Sequence, residues 1–218
     1  MEALTQLARR PYRSSHRAAQ ARRTRQRILD AAAEVFLEHG YAAATMRAIA
    51  AKANVSVPMV ESSFGTKARL LKTAIDVAIV GDDKPVPVLD RSWTRTALQA
   101  ETASEFLTIV SDVIGPAQAR SAGLVLAVFE GAATDPELAE LSTQMIIQRS
   151  KTAGWLVNAL TRKAALREGC SRQEAVDTVW ILMDPAVFDR LTRQRGWTLE
   201  RYQRWFARSI GHLLTTGN

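Results

Sequence analysis

The side chains best suited to metal ligation or nucleophilic catalysis in this 218-residue chain are three histidines, His16, His39 and His212, and one cysteine, Cys170. They are scattered from one end to the other, with no metal-ligand spacing, no nucleophile–base pairing and no Gly-rich phosphate cradle. A carboxylate pair in the helical part is the one remaining route to catalysis, so the expectation is a protein that is not an enzyme and uses no cofactor or metal. The chemistry that the sequence does concentrate is cationic. Arginines stand at 9, 10, 13, 17, 22, 23, 25 and 27 with no acid among them. Residues 1–72 hold 13 Lys and Arg against 5 Asp and Glu, net +8, while residues 73–218 hold 16 against 17, net −1. A basic block beside a near-neutral remainder is the footprint of a polyanion-binding module joined to something with another task. Composition alone equally allows a solvated tail that binds nothing specific.

The elements that must position these residues are helices. At 47% apolar the chain can bury a sizeable core. Its longest apolar runs, such as Gly123 to Phe129, fall far short of the roughly 20 residues that span a bilayer, so no membrane partner is expected. One cysteine makes no internal disulfide, and the Arg-rich start lacks the apolar stretch of a secretory signal. A cytoplasmic protein is the expectation, with a transit peptide as the alternative. Alternating period-2 patterns are scarce, there is no internal repeat, and Ala, Leu, Arg, Gln and Glu are plentiful. The periodicity predicts helices at 22–39, 46–53, 57–63 and 67–80, then a Pro-containing linker through "GDDKPVPVLDRSW". Further helices are predicted at about 101–114, 117–132, 136–167, 172–183, 185–194 and 198–214.

Two of these helices are short and separated by "NVS". Thr45 can cap the first, Asn54 lies where the chain turns sharply, and Ser56 can cap the second, with Pro58 in its permissive first turn. Val60 and Phe64 would face inward and Gly65 would stop the helix. Helices of this length need a third behind them, here 22–39. A three-helix unit with one exposed short helix is a helix-turn-helix, whose second helix fits a DNA major groove; a plain helical hairpin in a bundle has the same spacing.

The run "RRTRQRILDAAAEVFLEHGYAAATMRAIAAKANVSVPMVESSFGTKARLL", residues 22–71, resembles the DNA-binding region of the TetR family of bacterial transcriptional regulators. Segments "AIDVAIVGDDKPVPVLDRSW" and "ILMDPAVFDRLTRQRGWTLERYQRWF" resemble a TetR subgroup common in actinobacteria. Asn54 stands where the family usually has Gly, Ser63 where Tyr or His meets a phosphate, and Glu61 where an aromatic is common. Lys67 matches the family's phosphate-binding lysine, with a helix N-terminus to assist it, and Thr45 and Arg47 match positions near the DNA backbone. Sequence would be read by the exposed face, Ser56, Val57, Pro58, Met59, Glu61 and Ser62. Val57 and Met59 suit thymine methyls, and Glu61 can accept from a cytosine N4. Arg9, Arg10, Arg13 and Arg17 would follow or enter the minor groove from a disordered arm.

The expected architecture is all-α, with a basic arm at 1–21, a helix-turn-helix DNA-binding domain at 22–80 and a helical ligand-binding and dimerisation domain at 81–218. The resemblance implies a homodimer built on the last two long helices, and "TLERYQRWFARSIGHLL" supplies a stripe of Tyr202, Trp205, Phe206, Ile210 and Leu213 that could instead pack within the monomer. A small-molecule effector, of unknown identity, would lie among helices 101–167. Its walls are Phe106, Ile109, Val113, Phe129, Met145, Trp155 and Leu156, with Glu130, Gln148, Arg149 and Asn158 as polar fixtures. The implied function is a ligand-responsive repressor on a palindromic operator in double-stranded DNA; an enzyme is the competing class and a helical interaction or membrane-surface protein a third, and binding to duplex DNA with a symmetric preferred site separates the regulator from both.

Overall fold

The structure is a computed structural model that describes residues 9–82 and 86–216, with side chains from residue 17 onward. Among them are ten α-helices and no strand, apart from one isolated antiparallel bridge between Leu166 and Thr215. The chain divides into two compact units, Met1–Ala74 and Ile75–Asn218, the division falling inside α4 (Lys67–Val80).

In the first unit α1 runs Arg9–Ala43, α2 Met46–Lys52 and α3 Val57–Phe64. Gly40, at φ 68° and ψ 172°, breaks α1 where a helix stop was expected. The start of α1 differs from the expectation. Residues 9–21 are helical, which corrects the disordered arm over that stretch. The physical reason is local: Arg, Ala and Gln are strong helix formers, and Pro11 sits in a first turn that needs no N–H from it. The core gathers Ile28, Ala32, Val35 and Phe36 of α1, Ile49 of α2, Val60 and Phe64 of α3, and Leu70 and Leu71 of α4, all nearly inaccessible. Each large side chain so buried contributes roughly 1.5–3 kcal/mol. That burial holds two helices too short to persist alone.

In the second unit α6 (Ala103–Gly131) is the central element, packing against α5 (Ser92–Gln99), α9 (Pro185–Asp189), α7 (Pro136–Leu160) and α10 (Leu199–Leu214). α8 (Arg172–Leu182) packs on α7, and the chain continues from α9 into a π-helical turn, Arg190–Gln194. Three expectations are corrected here. The predicted pair 101–114 and 117–132 is one helix passing through Pro116, because Val110, Ser111, Ile114, Gly115 and Gln118 are all buried around the missing N–H. The predicted linker ends two residues inside an unpredicted helix, α5, whose Thr94 and Ala97 are buried. α7 stops at Leu160 rather than 167, since Arg167 N–H pairs instead with the Leu214 carbonyl at 2.8 Å.

Candidate nucleic-acid interface

The turn between α2 and α3 is built by Asn54. Its φ of 52° is the one left-handed non-glycine conformation among the described residues. Asn tolerates this region because its short amide bonds locally and crowds the backbone little. The Asn54 N–H then reaches the Ala51 carbonyl at 3.1 Å and the Val55 N–H the Ala50 carbonyl at 3.0 Å. These two bonds satisfy carbonyls that the end of α2 would leave bare. Thr45 caps α2, its Oγ1 accepting from Ala48 N–H at 3.1 Å. Ser56 occupies the cap position of α3, but its hydroxyl makes no capping bond, so the expected side-chain cap is corrected. Its carbonyl takes the N–H groups of Met59 and Val60 instead.

α3 is anchored on one side and open on the other. Val60 and Phe64 are buried. Ser56, Pro58, Glu61, Ser62 and Ser63 are exposed, Val57 is half-buried, and Met59 presents a thioether that is 45% exposed. A large apolar side chain so placed on a short polar face is available for contact with a partner. Arg47 and Arg17 are exposed; the side chains of Arg9, Arg10 and Arg13 lie outside the described residues, as do residues 1–8 of the expected arm.

Three cations brace this unit. Lys67 donates to the carbonyls of Tyr41 at 2.8 Å and Ala44 at 2.9 Å, and its ammonium lies 4.1 Å from the Tyr41 ring centroid. The ammonium expected at a phosphate is thus engaged with the chain after Gly40. Arg25 donates to the Ser63 carbonyl at 3.3 Å and stacks 4.3 Å from the Phe64 centroid, securing the C-terminal end of α3. Lys52 meets Glu34 at 2.7 Å and Glu38 at 3.1 Å, joining α2 to α1. Hydrogen bonds to Glu34 and then Glu38 raise its proton affinity above the ordinary lysine value. Arg25 reads in the sequence as one more member of the basic block, and Lys52 has no local partner; only the fold reveals either role.

The residues expected around an effector are dispersed by burial. Phe106 and Leu156 are fully buried in the core of the second unit, where Ile109 and Trp155 pack beside them. Trp155 makes an edge contact with Trp93 at 5.3 Å. Val113, Phe129 and Met145 are half-buried, and Glu130 and Gln148 are exposed. Asn158 accepts from Arg172 at 3.1 Å. Arg149 is drawn in, paired with Asp184 at 2.8 Å. The α10 stripe also lies inside: Tyr202, Phe206 and Ile210 are fully buried in that core, Trp205 is half-buried and only Leu213, at 53%, faces out. Its expected use as a dimer surface is corrected, because α6 already covers it.

An exposed short helix fixed by a left-handed turn over a supporting helix defines a helix-turn-helix protein. Residues 28–74 match the profile of the bacterial regulatory proteins, tetR family. That segment of the first unit is similar to the DNA-binding region of this family, and among the described residues no helix is long and apolar enough to cross a membrane. No curated protein matches the chain. Solved structures do. A transcriptional regulator from Saccharomonospora viridis in complex with choline is 17% identical, with a TM-score of 0.63 over 88% of this chain and 97% of that one. The fatty acid degradation regulator FadR from Bacillus halodurans is 18% identical, with a TM-score of 0.64 over 85% and 93%. NalD, the secondary repressor of the MexAB-OprM multidrug efflux pump in Pseudomonas aeruginosa, is 17% identical, with a TM-score of 0.64 over 89% and 98%. At these identities the likeness is one of fold.

Proposed function

We propose that the chain is a cytoplasmic, ligand-responsive repressor that binds a palindromic operator in double-stranded DNA as a homodimer. The observation that carries this reading is the two-sidedness of α3, with Val60 and Phe64 buried and Pro58, Met59, Glu61 and Ser62 exposed. Such a helix can enter a major groove without disturbing the core that holds it. Val57 and Met59 would meet thymine methyls, Glu61 a cytosine N4, and Ser56 and Ser63 the flanking phosphates through exposed hydroxyls. Thr45, Arg47 and the backbone amides opening α4 at Lys67 would bind phosphates on either side. Arg9, Arg10, Arg13 and Arg17 would extend the interface along the duplex.

The homodimer is supported by the family likeness, and by Ile181 on α8 and Leu213 on α10, apolar side chains left 55% and 53% exposed on the second unit. A small-molecule effector is supported by the choline-bound structure of similar fold. Release would follow a population shift: effector stabilises a state of the dimer whose recognition helices no longer match the groove spacing.

Selection of bound sequences from random duplex DNA tests the reading. Two inverted half-sites should be enriched, about one helical turn or a multiple of it apart. Enrichment of a single asymmetric site, or of nothing, overturns it.

A further inference from the structure

The interior of the second unit holds a polar cluster around the end of α8. Gln118 donates to the Met183 carbonyl at 2.6 Å and the Tyr202 hydroxyl to the Leu182 carbonyl at 3.4 Å, so the carbonyls that close α8 have donors. Asp184 has two partners as well. One of its oxygens accepts Ala186 N–H at 2.8 Å, capping α9, and the other takes Arg149 Nη2 at 2.8 Å. Arg149 in turn lies over Trp180, its guanidinium carbon 4.1 Å from the ring centroid. What remains is a surplus of donors. Arg149 Nε and Trp180 Nε1 are both buried and have no acceptor among the described residues. Buried N–H groups are rarely left so, and these two belong to one stacked pair.

We propose that Arg149 and Trp180 form the polar subsite of an effector, and that the effector is an uncharged molecule presenting an oxygen acceptor, such as a ketone, ester or lactone carbonyl, on an apolar body. The charge state follows from the neighbours. The positive charge of Arg149 is already matched by Asp184, whose carboxylate would repel a second anion. A cation would find two donors and no free acceptor. A neutral oxygen satisfies the N–H groups and adds no charge to an interior that holds a balanced pair.

This rests on the reading of the second unit as effector-binding, and the two can fail separately. The test uses the full chain and three matched probes: 2-acetylnaphthalene, a neutral ketone; 2-ethylnaphthalene, which has no acceptor; and 2-naphthoate, an anion. Equilibrium dialysis should give the ketone about tenfold or greater advantage over the ethyl compound, with the naphthoate no tighter than the ethyl compound. Trp180→Phe removes one donor and should erase most of that advantage. Arg149→Lys keeps the pair with Asp184 but removes Nε, and should do the same if the first variant does not fold. Equal binding of the probes, no binding, tightest binding of naphthoate, or a ketone advantage that survives both substitutions overturns the proposal. If the chain binds a selected duplex while all three probes fail, the subsite is lost and the regulator stands. If the ketone binds as expected and no duplex does, the regulator is lost and the subsite stands.

Discussion

Glu61 and Lys67 carry the sharpest consequences at the scale of single residues. Glu61 is the one acid on the exposed face of α3, where phosphates would repel it unless a base repays its presence. Glu61→Gln should therefore cost about 1–3 kcal/mol at one base pair of the operator and little elsewhere, measured on a panel of single-base variants. Uniform loss at every base would remove direct readout by this residue. Lys67 is a different matter, since its ammonium is bonded to the Tyr41 and Ala44 carbonyls. Lys67→Met should lower the urea midpoint of unfolding and leave the salt slope of DNA binding unchanged. A slope lowered by about one would instead place the ammonium on a phosphate. From sequence, Lys67 reads as a phosphate ligand because its position suits one; the carbonyls that take it lie 26 and 23 positions away and carry no local signal.

At the scale of elements, the packing of α6 on α10 depends on one glycine. A Cβ added at Gly115 would stand 2.6 Å from Gln203 Cγ and 3.3 Å from Leu199 Cδ1. Gly115→Ala should thus destabilise the chain by about 1–3 kcal/mol, against the helix propensity of alanine, because the Gln203 side chain must leave its place or the two helices must part. Chemical denaturation reads this, and Gln203→Ala in the same chain should recover part of the stability. The start of α8 offers a pH-dependent counterpart. Ser171 Oγ accepts Glu174 N–H at 3.2 Å, and the Glu174 carboxylate accepts Ser171 N–H at 2.7 Å. Bonds from the Ser171 side chain and then its N–H hold Glu174 below its ordinary 4.5. A depressed carboxylate contributes stability that is complete above 4.5 and is lost as pH falls through its folded value. The stability gap between the native chain and Glu174→Ala should then shrink on acidification below 4.5. A gap constant from pH 6 to pH 3 would show that the ionised carboxylate adds nothing.

For the whole molecule, the charge imbalance between the first 72 residues and the rest predicts a salt-dependent affinity for DNA. Residues 9–21 continue α1, and Arg9, Arg13 and Arg17 recur at four-residue spacing, which is one face of a helix. Deleting residues 1–17 should reduce the slope of log affinity against log salt by about 0.9 for each phosphate that is no longer neutralised, read by fluorescence anisotropy across a salt series. An unchanged slope would leave that segment without a part in binding.

The helix-turn-helix was legible without coordinates because its determinants are local: Thr45 before a helix, an αL-tolerant Asn54 at the turn, Pro58 in a first turn, and Gly65 at a stop all act within a few residues of themselves. The same holds for α4 and for the apolar periodicity of α10. What periodicity cannot say is which neighbour covers a stripe. Tyr202, Phe206 and Ile210 have the same spacing whether they face α6 or a second copy, and packing alone assigns them to α6. Pro116 likewise signals a break, and only the burial around it keeps α6 whole. Arg25, Lys67 and Arg149 look alike as cations in the sequence. Tertiary structure separates them from the exposed Arg17 and Arg47, since a cation's role depends on whether carbonyls, rings or carboxylates from distant segments come within reach.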